Sequence, residues 1–265
     1  MARVSGLFRF PLKGFTAERR DTLVVQDDGR IEGDRVLAFR FAHATEPEER
    51  DGLDYWPKSN GLALMDFPSL ARLVVSYDPE RRRVGIALEG RTLVEGGLDE
   101  DGRSAITAAV TDFVRSGPDG RRLEGEGVLP LSLVGDGRTS RFQDRTRGFV
   151  SLHGHASVDA VDAAATAPVD DRRFRSNIVV EGTAPWEELG WTGHVRVGEV
   201  LFEVQQTIGR CAAIQANPDT GARDARLLRL LTTEFGQEEA TLGILLLPAH
   251  GGGAVCVGDE VELVG

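Results

Sequence analysis

Short runs of alternating apolar and polar residues, separated by glycine-containing turns, are the feature that most restricts how this chain can fold. Residues 195–204 alternate around the pair Gly198-Glu199, and residues 255–264 have the same shape around Gly258-Asp259. A period of two places every second side chain on one face of a strand, and glycine tolerates the backbone of a tight turn. With 32 glycines in 265 residues, we expect a mainly β fold of the α+β type with barrel-like corners.

The other apolar runs are short and lie between turn-forming residues, as strands do. Strands are predicted at residues 23–25, 36–41, 73–77, 84–88 and 242–247. The third and fourth of these flank a polar, arginine-rich turn and predict a hairpin. The last is apolar enough to be a buried strand, and the polar residues 43–60 predict a long loop.

Three segments have helical spacing and are expected at the periphery of the β structure. The first is predicted to begin at Ser104 as N-cap and to end at Gly117. The second is expected to start at Ser157, and the third at Asp224, with Gly236 as its stop. A glycine-rich composition at residues 117–127 marks the best candidate linker between two domains.

Charge and cysteine content exclude several classes of protein. The chain has 31 Lys+Arg and 42 Asp+Glu, and its formal charge of −11 argues against a nucleic-acid partner. Two cysteines exclude a disulfide-built fold and a four-cysteine metal cluster. No apolar run is long enough to cross a membrane, and the first residues lack a signal-peptide core, so a cytoplasmic location is expected.

Several polar residues could belong to a site, although each has a plainer interpretation. Lys13 follows the first predicted strand in a turn, where most lysines are solvated. Asp34 and Arg35 open a strand, where such a pair is usually a surface ion pair. His153 and His155 lack a third ligand at a suitable spacing, which favours loop histidines over a metal site.

The cysteine of Gly209-Arg210-Cys211 is the strongest single candidate. A thiol beside a guanidinium has its thiolate form favoured, and a thiolate is either a nucleophile or a ligand for a soft metal centre. From residue chemistry alone, a buried and inert Cys211 is equally compatible with the sequence. Cys256 lies inside an alternating strand and is expected to be structural.

Six short motifs, taken in order, resemble those of the MOSC domain family, which includes the C-terminal domain of molybdenum cofactor sulfurases. Residues 171–182, Asp-Arg-Arg-Phe-Arg-Ser-Asn-Ile-Val-Val-Glu-Gly, are similar to the family block RFRPNIVVDG. Gly209-Arg-Cys211, residues 217–221 and residues 257–259 follow in the family's order. Residues 10–13 and 33–35 resemble motifs of the β-barrel domain that often precedes it, as in the mitochondrial amidoxime-reducing component and its bacterial relatives.

The resemblance implies an architecture and a cofactor. It implies an N-terminal MOSC-type β-barrel domain at residues 1–120 and a MOSC β-barrel with peripheral helices at residues 121–265. It implies a molybdenum cofactor, a Mo-pyranopterin, with Cys211 as the protein ligand of the metal and as the catalytic residue. The residues that the resemblance assigns to the pterin or its phosphate are Lys13, Arg35, Thr146, Arg175, Asn177 and Arg210.

This chain departs from the family pattern at several positions. Gly14 and Gly209 stand where the family has serine, and Ser176 stands where it has proline. Each lost hydroxyl removes a hydrogen bond worth about 1 kcal/mol if nothing replaces it. Residues 43–61 lack the family's Thr-x-Arg, for which Lys58 or Ser59 could substitute.

Three functions follow. The first is a molybdenum-dependent oxidoreductase, independent of pyridoxal phosphate, that reduces N-hydroxylated or N-oxide small molecules. Because the chain carries no iron–sulfur or flavin motif, its electrons would come from a separate donor protein. The second is a non-redox carrier of the cofactor or of persulfide sulfur on Cys211. The third is a barrel-type binding protein in which Cys211 is inert.

Overall fold

The computed structural model describes residues 1–50 and 52–264, in which the chain forms seventeen strands and three α-helices. The strands of the first half are β1 (Ala2–Arg9), β2 (Glu18–Arg20), β3 (Thr22–Val25), β4 (Ala38–Arg40), β5 (Glu48–Arg50), β6 (Leu53–Tyr55), β7 (Leu73–Asp78), β8 (Arg83–Leu88) and β9 (Arg91–Gly97). Those of the second half are β10 (Ser132–Val134), β11 (Val150–Gly154), β12 (Ile178–Glu181), β13 (His194–Val197), β14 (Val200–Gly209), β15 (Thr241–Pro248), β16 (Gly253–Cys256) and β17 (Glu260–Val264). The helices are α1 (Glu100–Ser116), α2 (His155–Ala164) and α3 (Leu227–Thr233).

Seven strands form a closed barrel. Their order is β12-β11-β15-β14-β13-β17-β1, and the ring closes because β1 also pairs with β12. The inward residues of these strands, among them Leu7, Leu152, Ile178, Phe202 and Ile244, are fully buried and form its core. The predicted mainly β fold with a barrel and peripheral helices is confirmed.

The first strand of the chain completes the barrel. On one side of β1, Leu7 lies opposite Ile178 of β12, and on the other side Ala2 lies opposite Val261 of β17. The neighbouring pair β11–β12 is the parallel one, with Leu152 opposite Ile178. Strands from the two ends of the sequence are therefore adjacent in one sheet.

Small sheets and a second core make up the rest of the molecule. Within the described residues, β7, β8 and β9 form a three-stranded sheet, and the pairs β4–β10, β5–β6 and β3–β16 form two-stranded ones. The second core includes Phe15, Phe39, Val75, Ile86 and Val110. The division of the chain near residue 120 stays a prediction, because β1 and β3 pair with strands of the C-terminal half.

The three predicted helices exist, but their starts differ from the expectation. α1 begins four residues before Ser104, and its N-cap is Asp99, whose carboxylate accepts a hydrogen bond from the Gly102 amide at 2.8 Å. An aspartate satisfies the free amides of a first turn as well as a serine does, so the pattern alone did not separate the two. α1 ends as predicted before Gly117.

The starts of the other two helices are also corrected. α2 begins at His155, two residues before Ser157, and α3 begins at Leu227 after Arg226 rather than at Asp224. The carboxylate of Asp224 is engaged instead by Arg173 at 2.7 Å and by the Asn217 amide at 2.7 Å. The side chain of Asp224, which the local sequence predicts as a cap, is therefore used in tertiary contacts instead.

Two segments predicted from local pattern are organised differently. Residues 43–60 are not one loop, since β5 and β6 pair as a hairpin with Glu48 opposite Tyr55. The alternating residues 255–264 form two strands that do not pair with each other, because β16 pairs with β3 and β17 pairs with β13 and β1. The turn between them is a corner where the chain passes from one sheet to the next.

Within residues 1–50 and 52–264, no helix is long and apolar enough to cross a membrane.

Candidate functional site

One cleft brings together every residue that the family resemblance assigned to the cofactor site. Its volume is about 540 Å³. The lining residues that were predicted are Lys13, Arg35, Thr146, Arg175, Asn177, Arg210 and Cys211. They come from the turn after β1, the loop before β4, the loop before β11, the segment before β12 and the end of β14. Residues separated by up to about 200 positions in sequence are thus neighbours only in the folded chain.

Lys13 lies in the wall of the cleft, with only 7% of its surface exposed. Its ammonium donates to the carbonyl oxygens of Phe142 and Gln143 at 2.9 and 3.2 Å, and it pairs with Asp144 at 2.7 Å. Burial lowers the pKa of Lys13, and Asp144 opposes that effect. Lys13, and after it Lys58 and Arg35, hold the pKa of Asp144 below the usual value.

Arg35 and Arg175 lie over the ring of Phe10. The two guanidinium carbons are 4.9 and 4.3 Å from the ring centroid, within the range of cation–π attraction. Arg35 contacts the neighbouring carboxylate of Asp34, whereas Arg175 donates to the Phe15 carbonyl at 2.6 Å. Burial, reinforced by Arg35, lowers the pKa of Arg175 to about 10, so the group stays charged at neutral pH.

Asn177 touches the cleft, but its side-chain amide is used inside the protein. Its oxygen accepts from the Ser151 hydroxyl at 2.8 Å, and its nitrogen donates to the Phe8 carbonyl at 3.1 Å. These bonds join the ends of β1, β11 and β12. The side chain of Asn177 therefore ties these strands together. A ligand would contact this amide only if one of these hydrogen bonds were broken.

Arg210 lies directly before the cysteine, with its guanidinium held by main-chain oxygens. It donates to the Phe174 carbonyl at 2.7 Å and to the Leu242 carbonyl. Its Nε is buried without an acceptor among the described residues. Burial lowers the pKa of Arg210 to about 10, while the nearby Cys211 and Glu188 favour the charged form.

Cys211 lies two residues after the end of the long strand β14 and is the N-cap of a short 3-10 helix at Ala212–Gln215. Its thiol is free and half-buried. Thr146 is also half-buried on the cleft wall. Cys256 is not among the lining residues, and its sulfur is 3.4 Å from the Thr22 hydroxyl. The two cysteines therefore have separate environments.

The departures from the family pattern have different structural meanings. Gly14 has a φ of +87°, and a Cβ there would be 2.8 Å from the Leu62 carbonyl oxygen, so a serine does not fit without strain. Gly209 has space for a side chain, since the nearest atom to an added Cβ is 3.9 Å away. The Ser176 hydroxyl is buried without a partner among the described residues. Of the two proposed substitutes, Lys58 lines the cleft and Ser59 does not.

Further cations line the cleft that the sequence analysis did not single out. They are Arg50, Arg145, Arg147 and Arg173. Arg145 and Arg147 flank Thr146, so the alternation Arg-Thr-Arg was a signal in the sequence. Arg173 is only 2% exposed, and its guanidinium pairs with Asp224. Nothing local distinguished Arg173 from the neighbouring Arg172, which is exposed.

The cleft carries a large excess of positive charge. Nine lysines and arginines line it against one acidic residue, Asp144, within the part of the chain that the structure describes. Three inner cations each contact a carboxylate: Lys13 with Asp144, Arg35 with Asp34 and Arg173 with Asp224. Arg175 and Arg210 instead have only carbonyl partners among the described residues. Partly desolvated charges of one sign favour an anionic ligand.

A histidine–aspartate cluster lies behind the floor of the cleft. His153 is fully buried, with its Nε2 2.8 Å from the Asp171 carboxylate, which His155 also contacts at 2.9 Å. The ring of His153 packs on Phe174, which is also under the Arg210 guanidinium. Among the described residues no group of three or more ligating side chains has metal-site geometry. The prediction that these are loop histidines is corrected, since His153 lies in β11 and His155 begins α2.

Comparison with known proteins gives a family match for the C-terminal part of the chain. Residues 141–262 match the family model described as the MOSC domain. The C-terminal part of this chain is a MOSC domain. This range contains Thr146, Arg175, Asn177, Arg210 and Cys211, whereas Lys13 and Arg35 lie outside it. The MOSC domain therefore supplies the cysteine and most of the cleft, and the N-terminal half supplies the opposite wall.

Curated relatives that match this chain include molybdenum cofactor sulfurases. Molybdenum cofactor sulfurase from Drosophila grimshawi is 48% identical over 58 residues, which is 21% of this chain and 7% of that protein. The protein of the same name from Drosophila mojavensis is 41% identical over 100 residues, 37% of this chain and 13% of that protein. The one from Oryza sativa subsp. japonica is 37% identical over 91 residues, 34% and 11% of the two chains. This chain thus matches only about a tenth of the length of these relatives.

Two solved structures are similar at low identity. YuaD from Bacillus subtilis aligns over 98% of this chain and 93% of its own, with a TM-score of 0.41 and 13% identity. YiiM from Geobacillus stearothermophilus aligns over 44% of this chain and 54% of its own, with a TM-score of 0.33 and 14% identity.

Proposed function

We propose that the cleft binds a molybdenum cofactor and that the protein reduces N-hydroxylated or N-oxide small molecules with electrons from a separate donor protein. The observation that carries this proposal is the juxtaposition of a free thiol with two guanidiniums that no carboxylate of residues 1–50 or 52–264 neutralises. Cys211, Arg175 and Arg210 line the same cleft. The names of the curated relatives support the molybdenum cofactor as the ligand.

The residues of the cleft fit the chemistry of such a cofactor. A thiolate is a soft donor of the kind that binds molybdenum, so Cys211 would be the metal ligand. A phosphate monoester carries up to two negative charges, which matches the two guanidiniums of Arg175 and Arg210 on the cleft lining. When bound, the cofactor would supply two-electron oxygen-atom transfer.

The surrounding residues would orient these groups. The ring of Phe10 packs against the guanidiniums of both Arg35 and Arg175, and Asp34 forms an ion pair with Arg35. Asn177 joins β1, β11 and β12 and so keeps the N-terminal wall of the cleft against the MOSC barrel. Lys13 has three protein partners and would act as a fixed positive charge in the wall.

Metal analysis tests the proposal with a matched pair of cysteine variants. The chain is produced in a host that makes the cofactor, and molybdenum and pterin are measured in the purified protein. We expect about one molybdenum per chain. Cys211→Ser should lose it, whereas Cys256→Ser, which removes the thiol outside the cleft, should keep it. Metal-free protein from such a host, or equal loss in both variants, contradicts the proposal.

Turnover separates an oxidoreductase from a carrier. Reduction of benzamidoxime takes two electrons and two protons and yields benzamidine and water. With reduced methyl viologen as donor, we expect steady turnover that depends on Cys211. The alternative is a non-redox carrier of cofactor or persulfide sulfur, favoured by the missing hydroxyls at Gly14 and Gly209. Bound pterin, or thiocyanate released by cyanide, without any turnover would favour the carrier.

A further inference from the structure

The outer part of the cleft has cations that the cofactor site proposed above does not use. Arg145 and Arg147 line the cleft and are exposed, in contrast to the inner Lys13 and Arg173. Among the described residues neither forms an ion pair with a carboxylate. Lys58 lines the same region and lies 3.9 Å from Asp144, which Lys13 already holds at 2.7 Å.

The distribution of charge suggests two anion positions in the cleft. At the inner position, Arg175 and Arg210 can balance one phosphate group. At the outer position are Arg145, which faces the Gln206 amide, together with Arg147 and Lys58. Asp144, the one acidic lining residue in the described part of the chain, is shared with Lys13. Like charges gathered at the opening of a cavity repel one another, and an anion placed between them removes that repulsion.

We propose that this cleft selects substrates that carry a carboxylate or phosphate group, which Arg145 and Arg147 bind at the outer end while the reducible N–O group lies toward Cys211. The inference rests on the proposed reductase function. Guanidiniums suit this role because their planar donor arrays match the two oxygens of a carboxylate or phosphate. Thr146 lies between the two arginines on the cleft wall, with a hydroxyl that can donate to the same group.

The chemistry of the reaction is that of the proposed function. The N–O bond of the substrate breaks, two electrons come from the donor protein, and two protons complete the amidine or amine and water. The anionic group takes no part in this step. It fixes the position of the substrate, so its contribution should be seen in binding and in the specificity constant kcat/KM.

Two matched probes test the inference. Benzamidoxime is neutral, and 4-carboxybenzamidoxime differs from it only by a carboxylate. The wild-type protein should have a higher kcat/KM for the carboxylated probe. Arg145→Gln/Arg147→Gln should lower the ratio of the two kcat/KM values by about tenfold or more, the equivalent of one charge-assisted hydrogen bond. The control Arg91→Gln/Arg121→Gln removes two exposed arginines outside the cleft and should keep the wild-type ratio.

Equilibrium dialysis keeps the test decisive if the protein has no reductase activity. Binding of each probe is measured on wild-type protein and on both double variants. Preference for 4-carboxybenzamidoxime that disappears only in the Arg145/Arg147 variant supports the inference, whether or not turnover occurs. Equal affinity for the two probes in wild-type protein, or an unchanged preference in that variant, overturns it. Absence of turnover with selective binding intact contradicts only the proposed function.

Discussion

Two glycines of the cleft show that the same departure from the family pattern has different consequences in different backbone conformations. Gly14 and Gly209 replace the same residue type of the family pattern, yet their surroundings differ. Gly14 is in the left-handed region, against the Leu62 carbonyl, and it follows Lys13, whose position in the cleft wall depends on that turn. Gly209 is in ordinary backbone conformation beside open space. Only the second position could regain a hydroxyl without rebuilding the turn.

A pair of serine variants tests this difference. We expect Gly14→Ser to lower the free energy of unfolding by roughly 1–3 kcal/mol, because it combines a strained φ with a close contact. Gly209→Ser should change it by about 0.5 kcal/mol or less, since the site is open. Urea unfolding of both variants and the wild type measures the effect. Equal stability of the two variants would show that the turn at Gly14 is not constrained as described.

At the scale of elements, the junction between β11 and α2 carries titratable groups with opposite pKa shifts. Burial lowers the pKa of His153, although Asp171 opposes it, with Arg210 and Glu188 also nearby. The hydrogen bond to Asp171 raises the pKa of His155. His153 therefore binds fewer protons when folded than when unfolded, and His155 binds more.

The sign of each shift predicts how stability depends on pH. His153 loses stabilisation as the pH falls below the ordinary histidine value of about 6.5, because only the unfolded chain takes up the proton readily. His155 contributes stability that is fully present below about pH 6.5 and is lost as the pH rises through its raised folded pKa. The two effects partly cancel in the wild-type protein.

Two asparagine variants separate these contributions. In His155→Asn, the free energy of unfolding should fall more steeply than in wild type between pH 7 and 5, by at most about 1.4 kcal/mol per pH unit for one proton. His153→Asn should be less stable at pH 7 by roughly 1–3 kcal/mol, because a buried hydrogen bond to Asp171 is lost, and its deficit should shrink as the pH falls. Curves parallel to that of the wild type for both variants would contradict the assignment.

At the scale of the whole molecule, the barrel depends on a strand from the other end of the chain. β1 occupies the gap between β12 and β17, and without it both strands would have unpaired edges. Leu7 and Val4 of β1 are also part of the barrel core. The MOSC domain match begins at residue 141, so the matched segment does not contain the strand that closes its barrel.

A fragment of residues 121–265 is therefore expected not to fold cooperatively on its own. Open sheet edges and a missing core strand favour aggregation over a closed structure. Joining residues 2–9 behind Val264 through a short glycine-rich loop should restore folding, because Ala2 lies opposite Val261 in an antiparallel register. Thermal melts by circular dichroism measure both chains. Cooperative unfolding of the unmodified fragment would contradict the role given to β1.

Local pattern predicted elements well where their stabilising contacts are local. The hairpin of β7 and β8 and the buried strand β15 were confirmed because alternation and turn residues determine such units. The start of α1 was wrong because Asp99 and Ser104 are both suitable N-caps on short-range criteria. The start of α3 was wrong because Asp224 is not used as a cap, and Arg226 at the N-cap position makes no side-chain bond to the helix. The role of the Asp224 side chain is set by Arg173, which contacts it only in the folded chain.

By itself the sequence determined the mainly β class, the resemblance to the MOSC family and seven of the residues that meet in the cleft. It did so because strand alternation and short motifs are properties of neighbouring residues. Only the tertiary structure decided that β1 closes the barrel, that Asn177 ties strands together, and that Arg175 and Arg210 bind carbonyl oxygens while Lys13 and Arg35 contact a carboxylate. Those outcomes depend on which groups, far apart in sequence, are buried next to one another, and the spacing of residues along the sequence does not show this.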